Sequence, residues 1–138
     1  MEYSERKPID FKKERPQLLK MKGISAKTVE EHLKIYEGYV KKFNEITQKL
    51  NNLTDEDYNA ANVTYSLIRE LKVEWTRAFG GMINHEIYFG HLGGEGGKPG
   101  SSLGSQIDKD FGSFEKFVKE MKATAMGARG WAWLLWSD

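Results

Sequence analysis

The stretch from Ser25 to Leu50, SAKTVEEHLKIYEGYVKKFNEITQKL, decides the fold. Within it Val29, His32, Tyr36, Tyr39, Phe43, Ile46 and Leu50 recur at steps of three and four. Such steps lay the residues along one face of an α-helix. Ser25 can cap its first turn, since a serine oxygen accepts from amides that have no partner inside the helix. The pattern predicts an amphipathic helix over about residues 26–50. Gly38 lies inside it, at a cost of up to about 1 kcal/mol relative to alanine. Asn51-Asn52 ends the pattern.

Downstream, Thr54-Asp55-Glu56-Asp57 is a second start signal with acidic residues in the first turn. A second apolar stripe follows through Tyr65, Ile68, Leu71, Trp75, Phe79, Met82, His85 and Phe89. Gly80-Gly81 is a place for this helix to bend or divide. A short link between two long helices predicts antiparallel neighbours. Residues 93–104, GGEGGKPGSSLG, are a glycine-rich connection. A phosphate cradle would need glycine at 92 and serine or threonine at 99, where the chain has Leu92 and Pro99. Leu103 to Phe111 reads as a short helix. Ser113 caps a longer one through about Met126, with Phe114, Phe117, Val118 and Met121 inward. Residues 131–136, Trp-Ala-Trp-Leu-Leu-Trp, are apolar on both faces and read as a short buried strand. A lone strand leaves its backbone groups unpaired, so this one needs a partner from further along the chain or from another chain.

Upstream, residues 1–22 are polar and basic, with Pro8 and Pro16, and read as an extended arm that lies on a surface or frays. The expected fold is therefore mainly α with a short β segment. An N-terminal arm covers 1–22 and an antiparallel helical hairpin 23–92. Residues 93–138 are the helical start of an incomplete α+β domain that ends in its first strand.

The composition narrows the chemistry. The 138 residues are 39% hydrophobic and 30% charged, a globular mix. A net charge of +1 gives no general attraction to nucleic acid or an anionic membrane. No apolar run approaches the roughly 18 residues of a membrane span. The N-terminus has no apolar core of a secretion signal, so the cytoplasm is the expected location. Without such a signal the acceptor pattern Asn62-Val63-Thr64 is inert. With no cysteine, disulfides, thiolate metal sites and cysteine nucleophiles are excluded. Any metal must be held by histidine and carboxylate.

Of three histidines, His32 and His85 fall on the two apolar stripes, while His91 lies beside the glycine-rich loop. Facing stripes can bring His32 and His85 together, as bundle metal sites do. A histidine on an apolar face is also often a hydrogen-bonded core residue, and the pattern alone leaves both readings open. Tyr36 and Tyr39 share the face of His32, where a phenol could donate a proton or simply pack. No Ser-His-Asp arrangement or carboxylate pair stands out.

Two stretches carry more. One is Ile24-Ser25 through His32, with Tyr36 and Tyr39-Val40. The other is Gly80-Gly81-Met82-Ile83-Asn84-His85 through Phe89, then Asp110-Phe111-Gly112-Ser113 and Gly130-Trp131-Ala132-Trp133-Leu134. In this order they resemble the iron/manganese superoxide dismutase family over about residues 23–136. The resemblance implies an Fe or Mn ion, one per subunit, that converts superoxide to oxygen and hydrogen peroxide. It implies His32 and His85 as the first two metal ligands and Tyr39 as the gateway tyrosine beside metal-bound solvent. Tyr36 would stand in the substrate funnel. Trp131 and Trp133 would wall the metal pocket, with Asn84 and Gly81 beside it. Glycine at 81 is the manganese-type choice. The spacing from His32 to Tyr39 is seven residues, one shorter than the family pattern. The family's remaining ligands, an Asp and a His, are expected beyond residue 138. A homodimer or homotetramer is expected, or a second chain that supplies those ligands. The alternative is a catalytically inactive dismutase-like helical domain used for assembly or partner binding.

Overall fold

The structure is a computed structural model that describes residues 2–136. Six α-helices run in order: α1 (Phe11–Glu14), α2 (Ala26–Asn51), α3 (Asp55–Asn59), α4 (Leu67–His91), α5 (Ser101–Phe111) and α6 (Phe114–Gly127), with a 3-10 turn at Pro16–Lys20. The chain forms two compact units, residues 1–94 and 95–138.

The first unit is a hairpin of α2 and α4. Residues 29, 33, 36, 40, 43, 47 and 50 are buried along α2, at alternating steps of four and three. Leu71, Ala78, Met82, His85 and Phe89 are buried along α4, and Trp75 packs half-buried in the same sequence of steps. Two helices with this shared repeat meet along one seam. Val29, Tyr36, Phe43, Ile46 and Leu50 of the stripe read from sequence are buried, whereas His32 and Tyr39 lie one position to the side and are half-buried flanking residues. Leu33, Val40 and Thr47 complete the seam. Thr47 is completely buried, and its hydroxyl accepts the Trp75 indole N–H at 2.9 Å. That bond removes the cost of burying both polar groups.

The Ser25 hydroxyl accepts the Thr28 amide, as an N-cap should. Thr54 and Asp57 form a complete capping box, but the helix it starts is only α3. The second long helix begins instead at Leu67. The Asn62 side chain accepts the Thr64 amide at 2.8 Å, a local turn that competes with helix at this point. Tyr65 therefore precedes α4 and is 72% exposed. Gly80-Gly81 does not divide α4, which is continuous to His91.

The arm is partly helical and docked. Phe11 and Leu18 are buried in the hairpin core, and burying such side chains contributes about 1.5–3 kcal/mol each. The Arg15 guanidinium donates to the Leu92 carbonyl at 2.8 Å, placing a cation at the negative end of α4.

The second unit holds α5 and α6. Gly112 ends α5 in the left-handed conformation (φ 83°), where glycine carries no side-chain penalty. Ser113 caps α6 by accepting the Lys116 amide. Phe111 and Phe114 pack on Phe117, half-buried, and Ile107 is the buried apolar residue. The expected strand at 131–136 is not formed: among the described residues no strand pairs with it, and a strand exists only through its ladder partner. Leu135 and Trp136 are about three-quarters exposed. Among the described residues, no helix is long and apolar enough to cross a membrane.

The glycine pair gives a sharp test. A Cβ at Gly81 would lie 2.4 Å from two carbons of the Tyr39 ring, whereas one at Gly80 would meet nothing within 4 Å. Gly81→Ala is expected to lower stability by about 1–3 kcal/mol through overpacking. Gly80→Ala is expected to raise it by up to about 1 kcal/mol through helix propensity. Chemical denaturation of the two variants checks both.

Candidate metal centre

The seam brings His32 and His85 together. Their ring centroids lie 4.9 Å apart, in an edge-to-face arrangement. His85 is 4% exposed, and its Nδ1 lies 2.6 Å from the Gly81 carbonyl one turn earlier. A carbonyl only accepts, so Nδ1 carries the proton and the ring lone pair resides on Nε2. This sets the tautomer and the ring direction, as a backbone carbonyl does for many metal-binding histidines. His32 packs on Tyr88 and Phe89, each at 5.1 Å between centroids. Burial holds its pKa below the ordinary histidine value, and His85 lowers it further. Both rings are thus suited to donate a nitrogen lone pair to a cation.

The two tyrosines differ. The Tyr39 ring occupies the space that a Cβ at Gly81 would need, and its centroid lies 5.3 Å from that of the His85 ring. Among the described residues, no hydrogen bond engages its hydroxyl. The Tyr36 hydroxyl accepts the Ile9 amide at 2.9 Å and donates to Glu86 at 3.0 Å. Tyr36 is 1% exposed. Its pKa is pushed up to about 12, first by burial and also by Glu86, with the Ile9 amide opposing. Asn84 sits half-buried on α4 beside His85. Trp131 and Trp133 belong to the second unit, where their rings stack 6.0 Å apart.

The donors test the fit of an Fe or Mn ion. Neutral imidazoles suit these metals, and the His32–His85 pair provides two. Among the described residues, no group of three or more histidines, cysteines and carboxylates could hold an ion. The pair fits as part of a coordination shell and does not complete one. Sequence reading missed Glu86, which fixes Tyr36. Its neighbour His85 was the only hint, because a carboxylate's partner fifty residues away leaves no local pattern.

The lowered His32 pKa fixes a pH dependence. Below the ordinary histidine value of about 6.5 the unfolded chain takes up its proton before the folded chain does. The stability contributed by neutral His32 is therefore present above that pH and lost as pH falls through the folded value. His85→Ala removes a ring that packs on His32 and helps to lower its pKa, so the His32 titration is expected to move up. NMR titration of the imidazole resonances of the metal-free protein measures this.

The family model for the C-terminal domain of iron/manganese superoxide dismutases matches residues 99–138. The chain is 44% identical over 115 residues to the iron superoxide dismutase of Aquifex pyrophilus, covering 81% of this chain and 54% of that protein. It is 43% identical over 114 residues to that of Aquifex aeolicus, with the same coverage. With the iron superoxide dismutase of Cupriavidus metallidurans it shares 35% over 122 residues, 86% of this chain and 59% of that protein. The chain spans about half the length of these curated relatives. With the helical hairpin and the family model at its end, these likenesses establish that the chain belongs to the iron/manganese superoxide dismutase family.

Proposed function

We propose that this chain forms part of a superoxide dismutase, in which His32 and His85 hold a redox-active Fe or Mn ion. The observation that carries the reading is the meeting of these two imidazoles, 4.9 Å apart, in a chain so similar to iron superoxide dismutases. The names of those relatives favour iron, while Gly81 is the residue of manganese members. Bound there, the ion supplies reversible one-electron transfer, by which two superoxide ions and two protons become dioxygen and hydrogen peroxide. Further donors come from a longer polypeptide or from a second chain, and the working unit is a homodimer or homotetramer in the cytoplasm.

The chain's own residues prepare the site. His85 is aimed by the Gly81 carbonyl, and His32 stays neutral near pH 7. Tyr39 is the phenol placed to hold and pass a proton, because its ring is clamped over Gly81 beside His85. Tyr36 has its hydroxyl occupied on both sides and serves to hold Glu86 and the arm. Asn84, beside His85 on α4, is proposed as lining of the metal pocket.

The alternative, a dismutase-like domain used for docking, draws on one observation: the Trp-rich segment leaves Leu135 and Trp136 largely exposed. Metal content after exhaustive dialysis separates the two. Retained Fe or Mn near one per chain, lost in His32→Ala and in His85→Ala, is expected. A folded protein that holds none, alone or with a supplied C-terminal half, would sink the enzyme reading. In the metal-loaded enzyme, Tyr39→Phe is expected to keep the metal and lower turnover by about 100-fold, the low end of a proton-transfer contribution. Steady-state assay with metal analysis checks this.

A further inference from the structure

The arm meets α2 through a regular set of main-chain contacts. The Tyr3 amide donates to Asn51 Oδ1, and Asn51 Nδ2 donates to the Tyr3 carbonyl, both at 2.8 Å. The Arg6 amide and carbonyl make the same pair with Asn44, again at 2.8 Å. The Ile9 amide donates to the Tyr36 hydroxyl at 2.9 Å. Three rungs therefore join positions 3, 6 and 9 of the arm to positions 51, 44 and 36 of α2.

The period of the rungs is the informative part. A β-strand repeats every two residues, so residues three apart present their amides to opposite sides. Polyproline II repeats every three, and advances about 9 Å in that distance. On an α-helix a step of seven residues returns to nearly the same flank and a step of eight lies about 80° further round, with a rise of about 10.5–12 Å. Residues 2–10 are in neither helix nor strand, and Pro8 falls between rungs, where it lines a groove together with Glu37, Val40 and Lys41.

We propose that this flank of α2 is a recognition site for a polyproline-II segment, read through the main chain at every third residue, with residues 3–9 as its ligand. Specificity lies in the period: an N–H is required at positions 3, 6 and 9, while positions between them accept proline. Side-chain contacts add to it at the far end, where Tyr3 packs edge-on against Trp75 and Gln48 donates to Glu5 at 2.7 Å. The near rung, Tyr36, also holds Glu86 beside His85, so the docked arm reaches the histidine pair.

The test is hydrogen exchange of the Tyr3, Arg6 and Ile9 amides in the full-length chain, with melting curves as a control for folding. Ser4→Pro and Lys7→Pro fix φ near the polyproline-II value and push the preceding residue to extended backbone. Both are expected to keep the remaining rungs protected. Arg6→Pro removes a required N–H and is expected to release the arm. Asn44→Ala and Asn51→Ala each delete two hydrogen bonds and are expected to speed exchange at their rung by about tenfold or more. Release by Ser4→Pro or Lys7→Pro as complete as by Arg6→Pro would overturn the polyproline-II reading. Unchanged exchange at Arg6 and Tyr3 in the Asn variants would overturn the ladder itself.

Discussion

Everything at the histidine pair depends on how closely the Tyr39 ring approaches the backbone of α4 at Gly81. No side chain stands between them, and any Cβ there would collide with the ring. That contact fixes the local separation of the two helices, and with it the 4.9 Å spacing of His32 and His85. The same glycine contributes its carbonyl to His85. One residue without a side chain thus controls helix spacing, imidazole direction and tyrosine placement.

The hairpin was legible from sequence because a long repeat of threes and fours survives substitution at any one position. The exact seam was not. Thr47 is polar by type, yet it is wholly buried because Trp75, twenty-eight residues away, donates to it. Leu33 and Val40 were overlooked because the flanking residues His32 and Tyr39 also repeat at helical spacing. Tyr65 joined the second stripe on spacing alone, and the Asn62 turn that excludes it from α4 depends on one side-chain bond.

The site was legible in its residue types and in its pairing across helices. Its internal division of labour was not. Tyr36 and Tyr39 are near-equivalents as text, since both follow His32 on one helix face. Only three-dimensional partners separate them: Ile9 and Glu86 take the hydroxyl of one, and Gly81 seats the ring of the other. The arm illustrates the same limit. Its charge and prolines say extended, but Phe11 and Leu18 plug the core, and its rungs are set by amides that carry no sequence signature.

The hairpin's connection has a consequence for how the molecule is made. The contacts that define the first unit lie within residues 1–94. Helical pairings that are local along the chain form in microseconds to milliseconds, whereas a ribosome adds only about 5–20 residues per second. The two histidines are therefore held against each other while the following residues are still being synthesised. If the pair holds a metal as proposed, the groups that complete its shell would meet two imidazoles already in place.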